Sequence, residues 1–461
     1  MPEETWWEYE QDKDFLETIE TALHPTLQEY LKRVLLSPEF PEDCERYSSF
    51  LEYPRNPREN NFHRYAEHLA PASEMLGGFY SQRPDDEFDL RIVGLYLTDP
   101  NITESMIGVV YDQKRHMCFY NEYDPDILDD IDEDYSKATH LWQPLESLLT
   151  VYIDLIERGK IVALHKSVRP AYPRWRENIL QGGNLMATTM EQREELPQDP
   201  SVPKRLENTR NPWAIVAYTE EDLDLALHRW ENLIQAIEDR IPGARSEVPH
   251  STGIFPVEVL RTAGLEEERF AYKFFTRAWK PCFKYIAPGL RLPTEAEFLA
   301  SRHSFEDIRE DLGTTPISIL RGDHGMTASN PWVCEQQPSR IPWGLYLDKT
   351  QVVALCPFED GCQLVLPYKI AGPVRRKRWN GEWENSNTSL LQISQNPFII
   401  EHRSQLALFL GYFAKAVVDD LWTINKEGVA NNVDWYKMAE SDDEDVRKQF
   451  IVPVGPDRQW C

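Results

Sequence analysis

A run of strand character that passes directly into a run of helix character constrains this chain more than any other stretch. Trp213-Ala214-Ile215-Val216-Ala217-Tyr218 is apolar, with aromatic and β-branched members, the composition of a buried strand. Thr219 then stands as a helix N-cap with Asp222 at the third helical position. Leu223, Ala226, Leu227, Trp230, Ile234 and Ile237 follow at helical spacing as one apolar stripe. A strand must pair and a striped helix must bury its stripe, so the unit predicts a sheet covered by helices. The shape returns near the C-terminus. Asn396-Pro397-Phe398-Ile399-Ile400 leads to Ser404 as a cap and to Leu406, Phe409, Leu410, Phe413, Val417 and Leu421 as a stripe.

Other stretches agree with a mixed architecture. Residues 14–36 carry an amphipathic helical pattern split by Pro25. Residues 90–98 read as a buried strand, and 106–111 with 116–120 as a hairpin around Asp112-Gln113-Lys114-Arg115. Pro144 opens and Gly159 closes a helix whose stripe is Leu145, Leu148, Leu149, Tyr152, Ile153 and Ile156. Residues 160–164, 343–347, 352–355 and 363–367 read as further strands. The expected fold class is α+β (mixed α/β), with strand–helix units around a mixed sheet core and a helical N-terminal segment. Residues 181–210 lose periodicity and gain charge, Pro and Gly, so they are expected to link an N-terminal region, 1–180, to a C-terminal one, 211–461.

Composition narrows the class of function. The 461 residues include 14 Trp, 20 Tyr and 19 Phe, enough for a large aromatic core. A net charge of −28 disfavours non-specific binding to DNA or anionic membranes, though it leaves room for a local basic groove. The acidic first residues, without an apolar core, predict no secretory leader, and no apolar run is long enough to predict a membrane span. Seven scattered Cys with no CxxC pair read as reduced thiols rather than disulfides or a zinc site. A cytoplasmic protein is the expectation.

Two kinds of charge cluster carry the candidate chemistry. Asp129-Asp130-Ile131-Asp132-Glu133 is a DDxxE tract. Two adjacent carboxylates and a third one helical turn on can converge on one small volume, either to hold a divalent cation or to work as acid and base. A solvated acidic loop accounts for the same residues, because the tract lies inside a longer acidic run from Asp124 to Asp134. The first basic cluster is Arg269, Lys273, Arg277 and Lys280, spaced as on one helix face before Pro281, with Lys284 beyond. Phe270, Tyr272, Phe274, Phe275 and Trp279 interleave it, and the stripe could track a phosphate backbone or pair with Glu266, Glu267 and Glu268. The second is Arg375-Arg376-Lys377-Arg378 beside Trp379, a loop suited to contacting RNA or to balancing local acids. Asp323 and His324, in the Arg321–Gly325 turn, are weaker candidates. GxSxG, Walker A, GxGxxG and HExxH patterns do not occur, which removes the usual support for serine-hydrolase, nucleotide-binding and zinc-protease readings.

Through Asp129-Asp130-Ile131-Asp132-Glu133, and through its Trp and Pro richness and acidic balance, the chain resembles the fungal arginine-containing cyclodipeptide synthases. The resemblance implies an essential DDxxE motif, here Asp129, Asp130 and Glu133. It implies a reaction that takes arginine and a second amino acid from aminoacyl-tRNAs and closes them into a diketopiperazine. No ATP, cofactor or metal is expected, and the partners are arginyl-tRNA and a second aminoacyl-tRNA, with no DNA and no membrane. Lys273, Arg277, Lys280, Lys284, Arg375, Arg376, Lys377 and Arg378 are the candidate tRNA contacts. The bacterial cyclodipeptide synthases use a Ser nucleophile near an early strand; here the strand at 90–97 runs into Thr98-Asp99-Pro100, and no nucleophile maps. Two alternatives remain. A magnesium-dependent terpene cyclase would use the tract to bind a diphosphate, but it should be almost wholly helical, and Asn385-Ser386-Asn387-Thr388-Ser389 lacks the Glu of a second metal motif. A non-enzymatic protein would offer the acidic run to a basic partner.

Overall fold

The computed structural model describes residues 5–11, 16, 20–34, 68–69, 92–97, 108–121, 142–163, 213–215, 217–243, 250–303, 305, 315–323, 325–332, 339–348, 358–370, 386–388, 390–391 and 404–450. Contacts divide the chain into two units, one on residues 1–216 and the other on most of 217–461. Both contain helices and sheets, so the α+β expectation holds. Among the described residues no helix is long and apolar enough to cross a membrane.

The first unit carries helices α1 (Trp6–Gln11) and α2 (Pro25–Leu31). Pro25 does interrupt the amphipathic pattern, by standing in the first turn of α2, where its missing N–H costs nothing. His24 caps that helix through its side chain, and its backbone N–H donates to Gln113 Oε1 at 2.6 Å, tying α2 to the hairpin below. The strands β1 (His68–Leu69), β2 (Ile92–Leu97), β3 (Gly108–Asp112), β4 (Met117–Asn121) and β5 (Gln143–Pro144) form one antiparallel sheet in that order. Between β3 and β4 the chain turns where expected, because Asp112 Oδ1 accepts the backbone N–H groups of Lys114 and Arg115 at 2.9 and 3.1 Å. Pro144 belongs to β5, and α3 (Leu145–Glu157) starts one residue later. Gly159 ends that helix with φ 70°. Two members of the expected stripe, Ile153 and Ile156, are exposed, so they lie on its flank. β6 (Ile161–Ala163) pairs antiparallel with β7 (Trp213–Ile215), which places the strand of the opening motif in this unit.

The second unit begins with α4 (Glu220–Glu238), whose Thr219–Asp222 capping box is complete and whose apolar stripe is buried. Then come α5 (Val257–Thr262), α6 (Phe270–Arg277), β8 (Tyr285–Ala287), β9 (Leu290–Arg291), α7 (Glu295–His303) and β10 (Ile317–Gly322). They are followed by β11 (Thr327–Ser329), β12 (Arg340–Pro342), β13 (Gly344–Leu347) and β14 (Cys362–Val365). The chain closes with α8 (Leu406–Val418), β15 (Ile424–Asn425), β16 (Gly428–Val429), a 3-10 helix (Val433–Glu440) and α9 (Glu444–Lys448). Seven strands form a sheet in the order β14-β13-β10-β9-β8-β16-β15. It is mixed, as expected: β8 and β16 run parallel and the other pairs antiparallel. At the parallel contact a Cβ on Gly428 would meet the Tyr285 carbonyl oxygen at 2.3 Å, and Gly428 has φ 97°, so only glycine fits.

Helix α8 packs along α4. Its expected cap is corrected: Gln405, not Ser404, stands at the N-cap and makes no side-chain cap bond. The Gln405 amide is taken instead by two buried carboxylates, Asp360 Oδ2 at 2.7 Å and Asp222 Oδ1 at 3.3 Å. An aromatic cluster fills the space around α6. Phe255 stacks on Phe298 at 4.5 Å, Phe275 meets Phe298 edge-on at 5.3 Å, and Trp230 of α4 meets Phe274 at 5.9 Å. Strand 352–355, strand 396–400 and the 181–210 segment lie outside the described residues.

Candidate functional site

The described part of the candidate surface is the segment from α6 to β10. Helix α6 stops at Arg277, three residues short of Lys280, which corrects the expectation of one continuous basic helix face. Tertiary pairing ends it. Ala278 turns extended, Trp279 bridges Thr252, and the Lys280 N–H donates to the Ser251 carbonyl at 2.9 Å.

The basic residues therefore separate into two groups. Lys273 Nζ lies 2.5 Å from Glu220 Oε1, and Arg277 reaches Asp224 Oδ1 at 2.6 Å and Glu220 Oε2 at 3.5 Å. Their partners sit in the first turns of α4, not among Glu266, Glu267 and Glu268; of those, Glu266 takes Arg269 and Glu267 takes Arg261. Partly exposed pairs of this kind contribute about 0–1 kcal/mol each. Lys280 and Lys284 form the second group. Both are exposed on the segment that joins α6 to β8, while Phe283 between them is buried. Lys280 borders an open groove with Thr252, Ile254, Phe255, Val257 and Thr276.

Beside Lys284 stands a charged network that the sequence reading missed. Arg291 donates to both Glu297 oxygens, at 2.8 and 2.7 Å, and its Nε lies 3.7 Å from Asp323 Oδ1. Arg321 Nε lies 3.6 Å from Glu297 Oε1. The Tyr285 hydroxyl donates to Asp323 Oδ2, and Lys284 Nζ sits 2.7 Å from that hydroxyl. Hydrogen bonding from Arg291 holds the Glu297 carboxyl far below its usual range, down to about 2. Glu297 also accepts the Thr294 N–H at 2.9 Å at the start of α7. The signal was present as Thr294-x-x-Glu297, a capping-box spacing; its link to Arg291 and Arg321 was not. The arrangement holds two guanidinium groups in fixed orientation near the exposed Lys284, which suits recognition of a phosphate-bearing ligand.

Asp129, Asp130 and Glu133 lie outside the described residues, as do Arg375, Arg376, Lys377, Arg378 and His324. Asp323 lies in the charged network. Among the described residues no three His, Cys, Asp or Glu side chains gather closely enough to hold a metal ion. Comparison with family models, with curated proteins and with solved structures finds no match to the chain.

Proposed function

We propose that this chain is an aminoacyl-tRNA-dependent cyclodipeptide synthase of the cytosol, joining arginine from arginyl-tRNA to a second amino acid as a diketopiperazine. The observation that carries the reading is the Asp129-Asp130-Ile131-Asp132-Glu133 tract. Its carboxylates would grip the arginine guanidinium through paired hydrogen bonds, or take the proton of the attacking amine. Two sheets, one of five strands and one of seven, weigh against the terpene-cyclase alternative, which needs an almost wholly helical body. Lys280, Lys284 and the Arg291–Arg321 network offer positive charge to an acceptor arm. Aminoacyl esters are already activated, so the protein's part is to hold two of them close and to manage amine protons.

Purified protein given preformed arginyl-tRNA and a second aminoacyl-tRNA should make the cyclic dipeptide with no ATP added, and ribonuclease should stop it. Asp129→Ala, Asp130→Ala and Glu133→Ala should each abolish product. Product from free arginine plus ATP, insensitive to ribonuclease, would replace this reading with an amide ligase. No product and no tRNA binding would favour the interaction-protein alternative.

A further inference from the structure

A cysteine, a glutamate and a histidine from three separate stretches meet at the C-terminal end of α4. Glu238 is the last residue of that helix, and its side chain is only 14% exposed. Its Oε1 accepts the Cys282 thiol at 3.4 Å. Its Oε2 lies 3.2 Å from His250 Nε2. The His250 ring stacks flat on the Trp279 indole, with centroids 4.1 Å apart and planes 13° from parallel. Trp279 is itself fixed, bridged to Thr252 and accepting the Trp230 indole N–H on its carbonyl at 2.8 Å. Imidazole and carboxylate are therefore held from behind, while the thiol faces solvent.

The other described cysteines differ. Cys118 and Cys362 are buried, as cysteines that fill a core are. Cys282 is exposed, between the exposed Lys280 and Lys284 on the segment that joins α6 to β8. Partial burial and the Glu238 carboxylate both push its thiol up, so the resting site holds a protonated sulfur beside a base. A nucleophile in contact with a base, and the base in contact with an orienting group, is the arrangement that activated nucleophiles share.

We propose that Cys282 is an acyl-accepting nucleophile for activated carboxylic esters, with Glu238 as its general base and His250 as the positioning residue behind Glu238. Sulfur attacks the ester carbonyl while Glu238 takes the thiol proton. The C–S bond forms, the C–O bond breaks, and the proton passes from Glu238 to the departing alcohol oxygen. The products are a thioester on Cys282 and the free alcohol, with no change of oxidation state. Lys280 and Lys284 on either side suit an ester whose alcohol carries phosphodiesters, as the 3′ end of an aminoacyl-tRNA does. The identity of that donor rests on the function proposed above; the thiol chemistry does not.

The test uses the full chain and two donors, p-nitrophenyl acetate and labelled arginyl-tRNA, with the acyl group mapped by peptide mass spectrometry. Cys282 should carry a hydroxylamine-labile acyl group, and Cys282→Ala should not. At neutral pH, Glu238→Gln should slow acylation about 100-fold or more, the ordinary contribution of a general base. At a pH where the Cys282 thiol is already ionised, the same variant should acylate at the wild-type rate, because no base is then needed; mere loosening of the site would slow it at every pH. His250→Ala should slow acylation, and His250→Gln, which can donate the same hydrogen bond, should restore it. Acylation from p-nitrophenyl acetate but not from arginyl-tRNA would keep the thiol site and remove the tRNA reading. Undiminished cyclic dipeptide from Cys282→Ala would keep the synthase and overturn the thiol. Acylation unchanged or faster in Glu238→Gln at neutral pH would also overturn it.

Discussion

The indole of Trp343 lies so close over Gly322 that a Cβ on the glycine would meet its Cε2 at 1.9 Å. The Gly322 N–H donates to the Trp343 carbonyl at 2.7 Å, and the indole N–H donates to the Asp323 carbonyl at 3.2 Å. Trp343 is buried and cannot swing away. Gly322→Ala should therefore destabilise the second unit by about 3 kcal/mol, the upper end of ordinary overpacking. Chemical denaturation reads the loss. Pairing the change with Trp343→Leu should recover part of it, and an unchanged denaturation midpoint in Gly322→Ala would refute the packing argument.

A second prediction concerns Glu359, buried and facing the start of α6. Its Oε1 accepts Arg269 at 2.7 Å, and its Oε2 accepts the Phe270 backbone N–H at 2.9 Å. Glu359→Ala strands a buried N–H and deprives Arg269 of a buried partner. The expected cost is about 3 kcal/mol. Glu359→Gln keeps an acceptor oxygen and should cost less. Equal stability of the two variants would show that the carboxylate caps nothing.

The pH dependence of stability should carry the mark of Glu297. Its pKa in the folded state is lowered from the ordinary carboxyl range to about 2 by the Arg291 hydrogen bonds. A depressed carboxyl stabilises the fold fully above its unfolded value, and that stabilisation drains away as pH falls through the folded one. Between about pH 5 and pH 2 the wild-type chain should lose on the order of 2 kcal/mol from this group, after discounting for solvent screening. Arg291→Met should flatten that part of the acid limb. A limb of identical slope in the variant would assign the loss to other carboxyls.

Charge reversal should separate the two groups of basic residues. Lys280→Glu with Lys284→Glu should weaken tRNA binding and make its salt dependence shallower, since fewer counterions are released. Lys273→Glu and Arg277→Glu should weaken it too, with an added small loss of stability from repulsion against Glu220 and Asp224. Filter binding over a salt series measures both. An unchanged slope in the Lys280 and Lys284 double variant would show that phosphate does not lie there.

Much of the fold was legible because the relevant interactions are short in sequence. The Thr219–Asp222 box, the Asp112 turn between β3 and β4, Pro25 in the first turn of α2 and Gly159 after α3 each act over a few residues, so residue type and spacing suffice. The α4 stripe was legible for the same reason. What depended on distant partners was not. Lys280 leaves the helix face because the backbone at 278–280 pairs with residues 251–253. Ser404 yields the cap position to Gln405, whose amide answers Asp222 and Asp360. The sequence by itself determined that strands and helices would share this chain, where α4 begins, and that an acidic tract and basic clusters exist. Only the tertiary structure decided that Glu359 would cap a helix from about 90 residues away, that Arg291 and Glu297 would lock together, and that Glu238 would stand between His250 and Cys282. The reason is that a buried polar group takes whatever partner folding brings within about 3 Å, and spacing along the chain carries no record of which partner that is.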